Sequence, residues 1–243
     1  MDIQKRDWRT SLAAAAGGGT LVLTDPPYGT TRNKWEMTLD PAEFYRLAFA
    51  ATGGGAVVCT TAEPFTSHMV LGAGKDFKYC WYWDKKLPTG HLNAKKQPMR
   101  RIEPVVVAYK RSSKYNPQMT VDTRGNRKWH RTNRATGSYN PYKEHTYESK
   151  GQKYPTTVLE VYQSPGSKVH PTEKPVELME YLICTYTDVG DLVVDPFCGS
   201  GSVAVACKRL GRRFLGGDIS SEYVTQATER VLKEVTPACY TAP

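Results

Sequence analysis

Residues 195–202 read Asp-Pro-Phe-Cys-Gly-Ser-Gly-Ser and follow a short apolar run, Leu192-Val193-Val194. Glycines at 199 and 201 allow a tight turn and let a ligand approach the backbone closely. Seventeen residues beyond Gly201 stands Asp218, where a carboxylate can accept both hydroxyls of a ribose. Position 204 is Ala, where a dinucleotide loop would carry its third glycine, and no Gly-Lys-Ser/Thr follows a glycine loop. The pattern suits a nucleoside whose tail is not a pyrophosphate, with S-adenosylmethionine the obvious candidate. A second motif, Asp25-Pro26-Pro27-Tyr28, ends the apolar run Thr20–Thr24. Two prolines stop any strand or helix and stiffen the chain, so a carboxylate and a phenol ring share one rigid bend.

Both motifs need elements to hold them. Gly17-Gly18-Gly19 is a turn before the strand 20–24. Residues 41–51 predict a helix with Pro41 in its first turn, ended by Gly53-Gly54-Gly55. Residues 56–60, 79–83 and 104–109 predict strands. Further on come a helix over 176–186 behind Pro175, a buried strand 192–194, a helix 202–210, a strand 213–216 and an amphipathic helix 221–235. Alternating strands and helices mean an α/β fold with ligands at the C-terminal strand ends. Between 111 and 154 the apolar periodicity disappears, which predicts an insertion unable to build a core of its own.

The chain has 243 residues, enough for one domain with a sizeable insertion. It is 40% hydrophobic and 23% charged, which excludes wholesale disorder. No run of 18 apolar residues exists to span a membrane, and Met1–Arg6 lacks the apolar stretch of a secretory signal. A cytoplasmic protein with no membrane partner is expected. The six cysteines show no metal-ligand spacing and read as small buried hydrophobes in a reducing compartment, so no metal is expected. Formal net charge is +9. It is regional: residues 85–153 hold 17 Lys/Arg and four acids, a net +13, and the rest carries −4. Seven aromatic residues are interleaved in or beside this basic stretch, from Tyr109 through Trp129 to Tyr154. Cations that neutralise phosphates and rings that stack on bases point to a nucleic-acid partner.

With these motifs the sequence resembles the amino-methylating DNA methyltransferases, which modify adenine N6 or cytosine N4. Asp25-Pro26-Pro27-Tyr28 matches their [DNS]-P-P-[YFW] motif and Phe197-Cys198-Gly199-Ser200-Gly201 their F-x-G-x-G motif. His170-Pro171-Thr172-Glu173-Lys174-Pro175 matches their H-P-T-x-K-P box. Segments 81–85 and 100–104 also resemble the family core. The catalytic motif precedes the cofactor motif, an order similar to that of the β class, whose insertion is the target-recognition region. The resemblance implies a Rossmann-like, doubly wound mixed sheet, the S-adenosylmethionine-dependent methyltransferase fold. Residues 1–110 would form its catalytic part, 111–154 the target-recognition insertion and 155–243 the cofactor-binding part. Many β-class enzymes are dimers, so the resemblance admits a homodimer.

The resemblance also implies roles. An exocyclic amine is a poor nucleophile because its lone pair is conjugated into the ring. Hydrogen bonds from its two N–H groups to the Asp25 carboxylate and the Pro26 carbonyl would localise that pair and stabilise the cationic amine. Pro27 stiffens the bend, and Tyr28 offers a flat face to a base rotated out of double-stranded DNA. Cofactor contacts would come from Asp195 near the methionine amino group, from Phe197, Gly199, Gly201 and Asp218, and from His170, Thr172, Lys174 and Pro175 by the methionine end, Lys174 suiting its carboxylate. Asp7 would bond the adenine. The product is S-adenosylhomocysteine. Arg32, Lys34 and Trp35 would close over the base or enter the duplex. Arg100, Arg101, Arg124, Arg127, Lys128, Trp129, Arg131 and Arg134 are the other DNA-binding candidates. The alternative readings are cytosine-N4 methylation, RNA adenine methylation and a nucleic-acid binder without activity. Asp at the first motif position favours adenine, and the motif order disfavours RNA.

Overall fold

The computed structural model describes residues 1–29, 39–131, 145–162 and 173–234. The chain forms two compact units, residues 1–116 with 157–243, and residues 117–156.

The larger unit opens with β1 (Asp2–Lys5), α1 (Trp8–Ala14), β2 (Leu21–Thr24), α2 (Pro41–Thr52), β3 (Ala56–Thr60) and α3 (Phe65–Ala73). A long hairpin of β4 (Phe77–Thr89) and β5 (Arg100–Ala108) follows. In the smaller unit, β6 (Thr120–Val121) pairs β9 (Gln152–Lys153), and β7 (Lys128–Arg131) pairs β8 (His145–Glu148). The larger unit resumes with β10 (Val158–Glu160), α4 (Val176–Tyr186), β11 (Leu192–Asp195), α5 (Ser202–Arg209), β12 (Arg213–Asp218) and α6 (Ser221–Lys233).

Its sheet has the order β1-β12-β11-β2-β3-β5-β4-β10. β5 alone runs antiparallel to its neighbours, so the sheet is mixed. Strands β2 and β3 are buried along their whole length. Successive residues face opposite layers. Leu21, Leu23 and Val58 pack with α4 and α5, while Val22, Val57 and Cys59 pack with α1, α2 and α3. Hence these strands read as continuous apolar runs rather than alternating ones.

The chain order reverses between β2 and β11. From β2 it winds through α2 to β3 on one side, and from β11 through α5 to β12 on the other. Such a switch point opens a crevice at the C-terminal strand ends. Asp25 follows β2 and Asp195 ends β11, so both motifs border that crevice.

Among the described residues of the smaller unit, the buried side chains are Asp122 and Ser149, both polar. Its two ladders are stitched by hydrogen bonds such as Arg127 N–H to Ser149 Oγ at 3.0 Å. No apolar core lies within that described part.

Candidate active site

Thr24, the last residue of β2, donates its hydroxyl to Asp195 Oδ1 at 2.6 Å. That bond ties the strand bearing the diproline bend to the strand bearing the glycine bend, and Phe197 N–H adds a second bond to the same oxygen at 3.1 Å. Asp195 is 2% exposed. Burial pushes its carboxyl up to about 7; the two hydrogen bonds pull downward, and the charges of Asp25 and Asp218 push further up. Three carboxylates thus act on one crevice, which suits a cationic ligand.

The glycine bend is built as its residue types require. Gly199 and Gly201 both adopt the left-handed backbone, at φ 45° and 86°. A Cβ on Gly199 would meet nothing within 4 Å, so the space over it is open. A Cβ on Gly201 would lie 2.8 Å from that of Ala227, so this glycine lets α6 close on the bend. Asp218 accepts from Gly199 N–H at 3.1 Å and from Ser220 N–H at 2.9 Å, and so holds the bend from the end of β12. Behind it, buried Glu173 pairs with Arg230 and accepts from Ser202 Oγ at 3.2 Å, while Arg230 donates to the Ser200 carbonyl. Phe197 packs against Trp8 and Phe44, and Cys198 is buried. Burial pushes the Cys198 thiol well above its ordinary range, as expected of a packing residue.

Asp25 is held by three donors. Tyr28 Oη at 2.6 Å and Thr60 Oγ1 at 2.5 Å both donate to Oδ1, and Lys174 Nζ donates to Oδ2 at 2.8 Å. Tyr28 stacks on Phe65. Burial and the neighbouring Asp25 charge push its phenol well upward, so the hydroxyl stays protonated and donating. The Lys174 ammonium is buried, which alone would favour losing the proton. The carboxylate of Asp25 reverses that, and the net shift is upward. Glu103 on β5 lies next in the row, with Oε2 3.9 Å from Lys174 Nζ and Oε1 2.9 Å from the buried Lys85.

Several expected site residues make internal contacts. Lys174, expected beside the methionine carboxylate, donates to the catalytic-motif carboxylate of Asp25, with Glu103 the next acid. Asp7 spends its carboxylate as the N-cap of α1, accepting from Arg9 N–H, Thr10 N–H and the Thr10 hydroxyl. Pro175 occupies the N-cap position of α4. Arg101 is held by a double hydrogen bond to Asp84, and Arg124 by one to Asp122, which holds that acid down at about 2. Both are cations already matched by an internal anion. Among the described residues, no carboxylate pairs with Arg100, Arg127 or Lys128. Trp129 on β7 faces Tyr147 on β8, with ring centroids 4.6 Å apart. Arg131 closes β7. Arg32, Lys34, Trp35, Arg134, His170 and Thr172 lie outside the described residues. Thr60, Lys85, Glu103 and Arg230 carry no motif signature of their own; only the likeness of segments 81–85 and 100–104 to a family core marked two of them. Among the described residues, no group of three or more His, Cys, Asp or Glu side chains could hold a metal ion.

A family model described as DNA methylase, of the N6/N4 type, matches residues 64–229. The chain is 49% identical to the Type II methyltransferase M2.DpnII of Streptococcus pneumoniae over 65 residues, 27% of this chain and 24% of that protein. Such matches span about a quarter of the length of the curated relatives. The solved structure of the M1.HpyAVI–SAM complex superposes with a TM-score of 0.62 at 22% identity, covering 94% of this chain and 98% of that one. The cytosine-N4-specific PvuII DNA methyltransferase superposes with a TM-score of 0.62 at 19% identity, covering 94% and 85%. The likeness to these structures is one of fold.

Proposed function

This chain belongs to the N6/N4 DNA methylase family, and from that membership we propose that it methylates the exocyclic N6 of adenine in double-stranded DNA, using S-adenosylmethionine. The observation that carries the reading is the Thr24–Asp195 hydrogen bond at the switch point, which keeps the diproline bend beside the glycine bend. The crevice fits the cofactor: it has open space over Gly199, a ribose-type carboxylate in Asp218 and a surplus of negative charge for a sulfonium and an ammonium. Asp195 would face the ammonium, Asp218 the ribose hydroxyls, and Gly199 and Gly201 the ligand's flank. When bound, the cofactor supplies an electrophilic methyl group and leaves as S-adenosylhomocysteine.

The chain's own residues prepare the amine. Two hydroxyls occupy Asp25 Oδ1, which leaves Oδ2, held among the described residues by Lys174 alone, as the oxygen for an incoming N–H. With the Pro26 carbonyl it would bind both amine hydrogens, localise the lone pair and accept the proton that the methylated amine sheds. Tyr28, braced on Phe65, would lie along the extruded base. The basic segment supplies phosphate contacts, and Trp129, packed on the half-buried Tyr147, an exposed aromatic ring. Adenine is favoured over cytosine by Asp at the head of the motif.

The test incubates the purified chain with methyl-labelled S-adenosylmethionine and DNA from a host without methylation, then identifies the modified nucleoside by mass spectrometry. N6-methyldeoxyadenosine is expected. N4-methyldeoxycytidine would overturn the adenine assignment alone, and label in RNA but not DNA would overturn the substrate. Asp25→Ala should lower the transfer rate at least 1000-fold while the cofactor dissociation constant stays within threefold. Retained turnover would refute the role of Asp25.

A further inference from the structure

The row Lys85, Glu103, Lys174, Asp25 alternates in charge and ends on the oxygen that the substrate amine needs. Lys174 Nζ occupies Asp25 Oδ2 at 2.8 Å. The other oxygen, Oδ1, already takes two hydroxyls. An ammonium on Oδ2 takes one of that oxygen's two acceptor positions, crowds an incoming N–H, and opposes the positive charge that grows on the amine during methyl transfer. Nearby, Glu103 Oε2 is sealed from solvent and accepts no hydrogen bond. A buried carboxylate oxygen without a donor is costly and calls for an explanation. It lies 3.9 Å from the same Nζ, so a shift of about 1 Å would bring the ammonium to charge-assisted hydrogen-bond distance. A lysine side chain makes such a shift by rotating its last torsions.

We propose that Lys174 is a two-position cation: it rests on Asp25 while the base pocket is empty and passes to Glu103 Oε2 when the target amine takes Asp25 Oδ2. In the first position it neutralises a carboxylate that shares its crevice with Asp195 and Asp218. In the second it satisfies the donorless oxygen of Glu103 and withdraws positive charge from the amine. Lys174 and Glu103 are therefore positioning residues acting through Asp25. The inference rests on the methyl-transfer reading above and adds the step that clears the base site.

Single-turnover methylation of DNA from a methylation-free host tests it with the wild type, Glu103→Gln, and Glu103→Gln with Lys174→Met. Glu103→Gln removes the negative charge of the second seat and so leaves the ammonium on Asp25. Its rate should fall at least tenfold, with the cofactor dissociation constant unchanged. Removing the stranded ammonium should then restore rate, so the double variant should be at least threefold faster than Glu103→Gln alone. A purely structural role for Glu103 gives a double variant no faster than the single, and that result overturns the inference while leaving wild-type turnover intact. A wild type that methylates no DNA overturns the functional reading and this inference with it. Should the variants fail to fold, the wild type decides: in a crystal with target DNA and an amine analogue of the cofactor lacking a transferable methyl, Lys174 Nζ should lie nearer to Glu103 Oε2 than to Asp25. An ammonium still on Asp25 beside the bound base overturns the proposal.

Discussion

Asp195 is a carboxyl with almost no solvent around it, pushed up to about 7 chiefly by burial. The unfolded chain would titrate it near 3.8. Between those values the folded protein holds a proton that the unfolded chain has released, so this group's contribution to stability falls as pH rises from about 4 to about 7. A cationic cofactor seated beside Asp195 would bind the ionised form and expel that proton. Cofactor affinity should therefore climb with pH, approaching tenfold per unit below 7, and level off above it. Calorimetry near pH 6 in two buffers of different ionisation enthalpy should register proton release, and Asp195→Asn should abolish it. A flat affinity profile in the wild type would remove Asp195 from the cofactor site. Asp7 is tested in parallel. As an N-cap, its replacement by Ala should cost about 1 kcal/mol, and Asp7→Ser should recover the stability. If both leave the cofactor dissociation constant unchanged, capping is its whole role. The diproline and glycine bends are legible in sequence because each packs its chemistry into a few adjacent positions. The charge row is not, since 149 residues separate Lys174 from Asp25 and nothing local marks their pairing.

The two glycines of the cofactor bend separate fold from ligand. Gly201 at φ 86° faces Ala227, and Gly201→Ala both strains the backbone and forces α6 away from α5. A cost of about 2–4 kcal/mol follows from those two effects together. Gly199→Ala meets no neighbour, so its stability cost should be about 1 kcal/mol, from backbone strain alone. Its Cβ, however, would enter the space where a ligand approaches, so cofactor affinity should fall at least tenfold. Thermal unfolding and calorimetry on both variants check the contrast; equal affinity in Gly199→Ala and wild type would place the ligand elsewhere. The apolar strands and the long helices match their sequence pattern, α4 to the residue, because burial imposes the pattern. The elements that sequence does not announce are short or lack a regular apolar pattern. β1 is a polar edge strand, α1 has seven residues, and the outer arms of β4 and β5, residues 84–89 and 100–103, are rich in charge, their apolar Leu87 and Ile102 being exposed. α3 is equally hard to read, its start set by Pro64 and its end by Gly74.

At the scale of the whole chain, sequence counts every lysine and arginine of residues 85–153 alike, and the structure does not. Lys85, Lys86, Arg101, Lys114 and Arg124 each have an internal acid within 2.9 Å. Such a cation must leave its partner to reach a phosphate, or bring the partner's negative charge along. Arg127 and Lys128 form no ion pair among the described residues and immediately precede the exposed Trp129, whose ring lies tilted against that of Tyr147. Each cation that neutralises a phosphate contributes about 0.9 to the slope of log affinity against log salt. Replacing Arg127 and Lys128 together by Ala should therefore lower that slope by about 1.8 and weaken DNA binding most at low salt. Arg124→Ala removes a charge already balanced by Asp122, so its slope should change by less than about 0.5, a fraction of one phosphate contact. Fluorescence anisotropy with a labelled duplex across a salt series measures all three proteins. Equal slope losses for Arg124→Ala and the double replacement would mean that the Asp122 pair opens on DNA. An unaltered slope in the double replacement would mean that these two cations touch no phosphate, and that the counterions released by binding come from elsewhere in the basic segment.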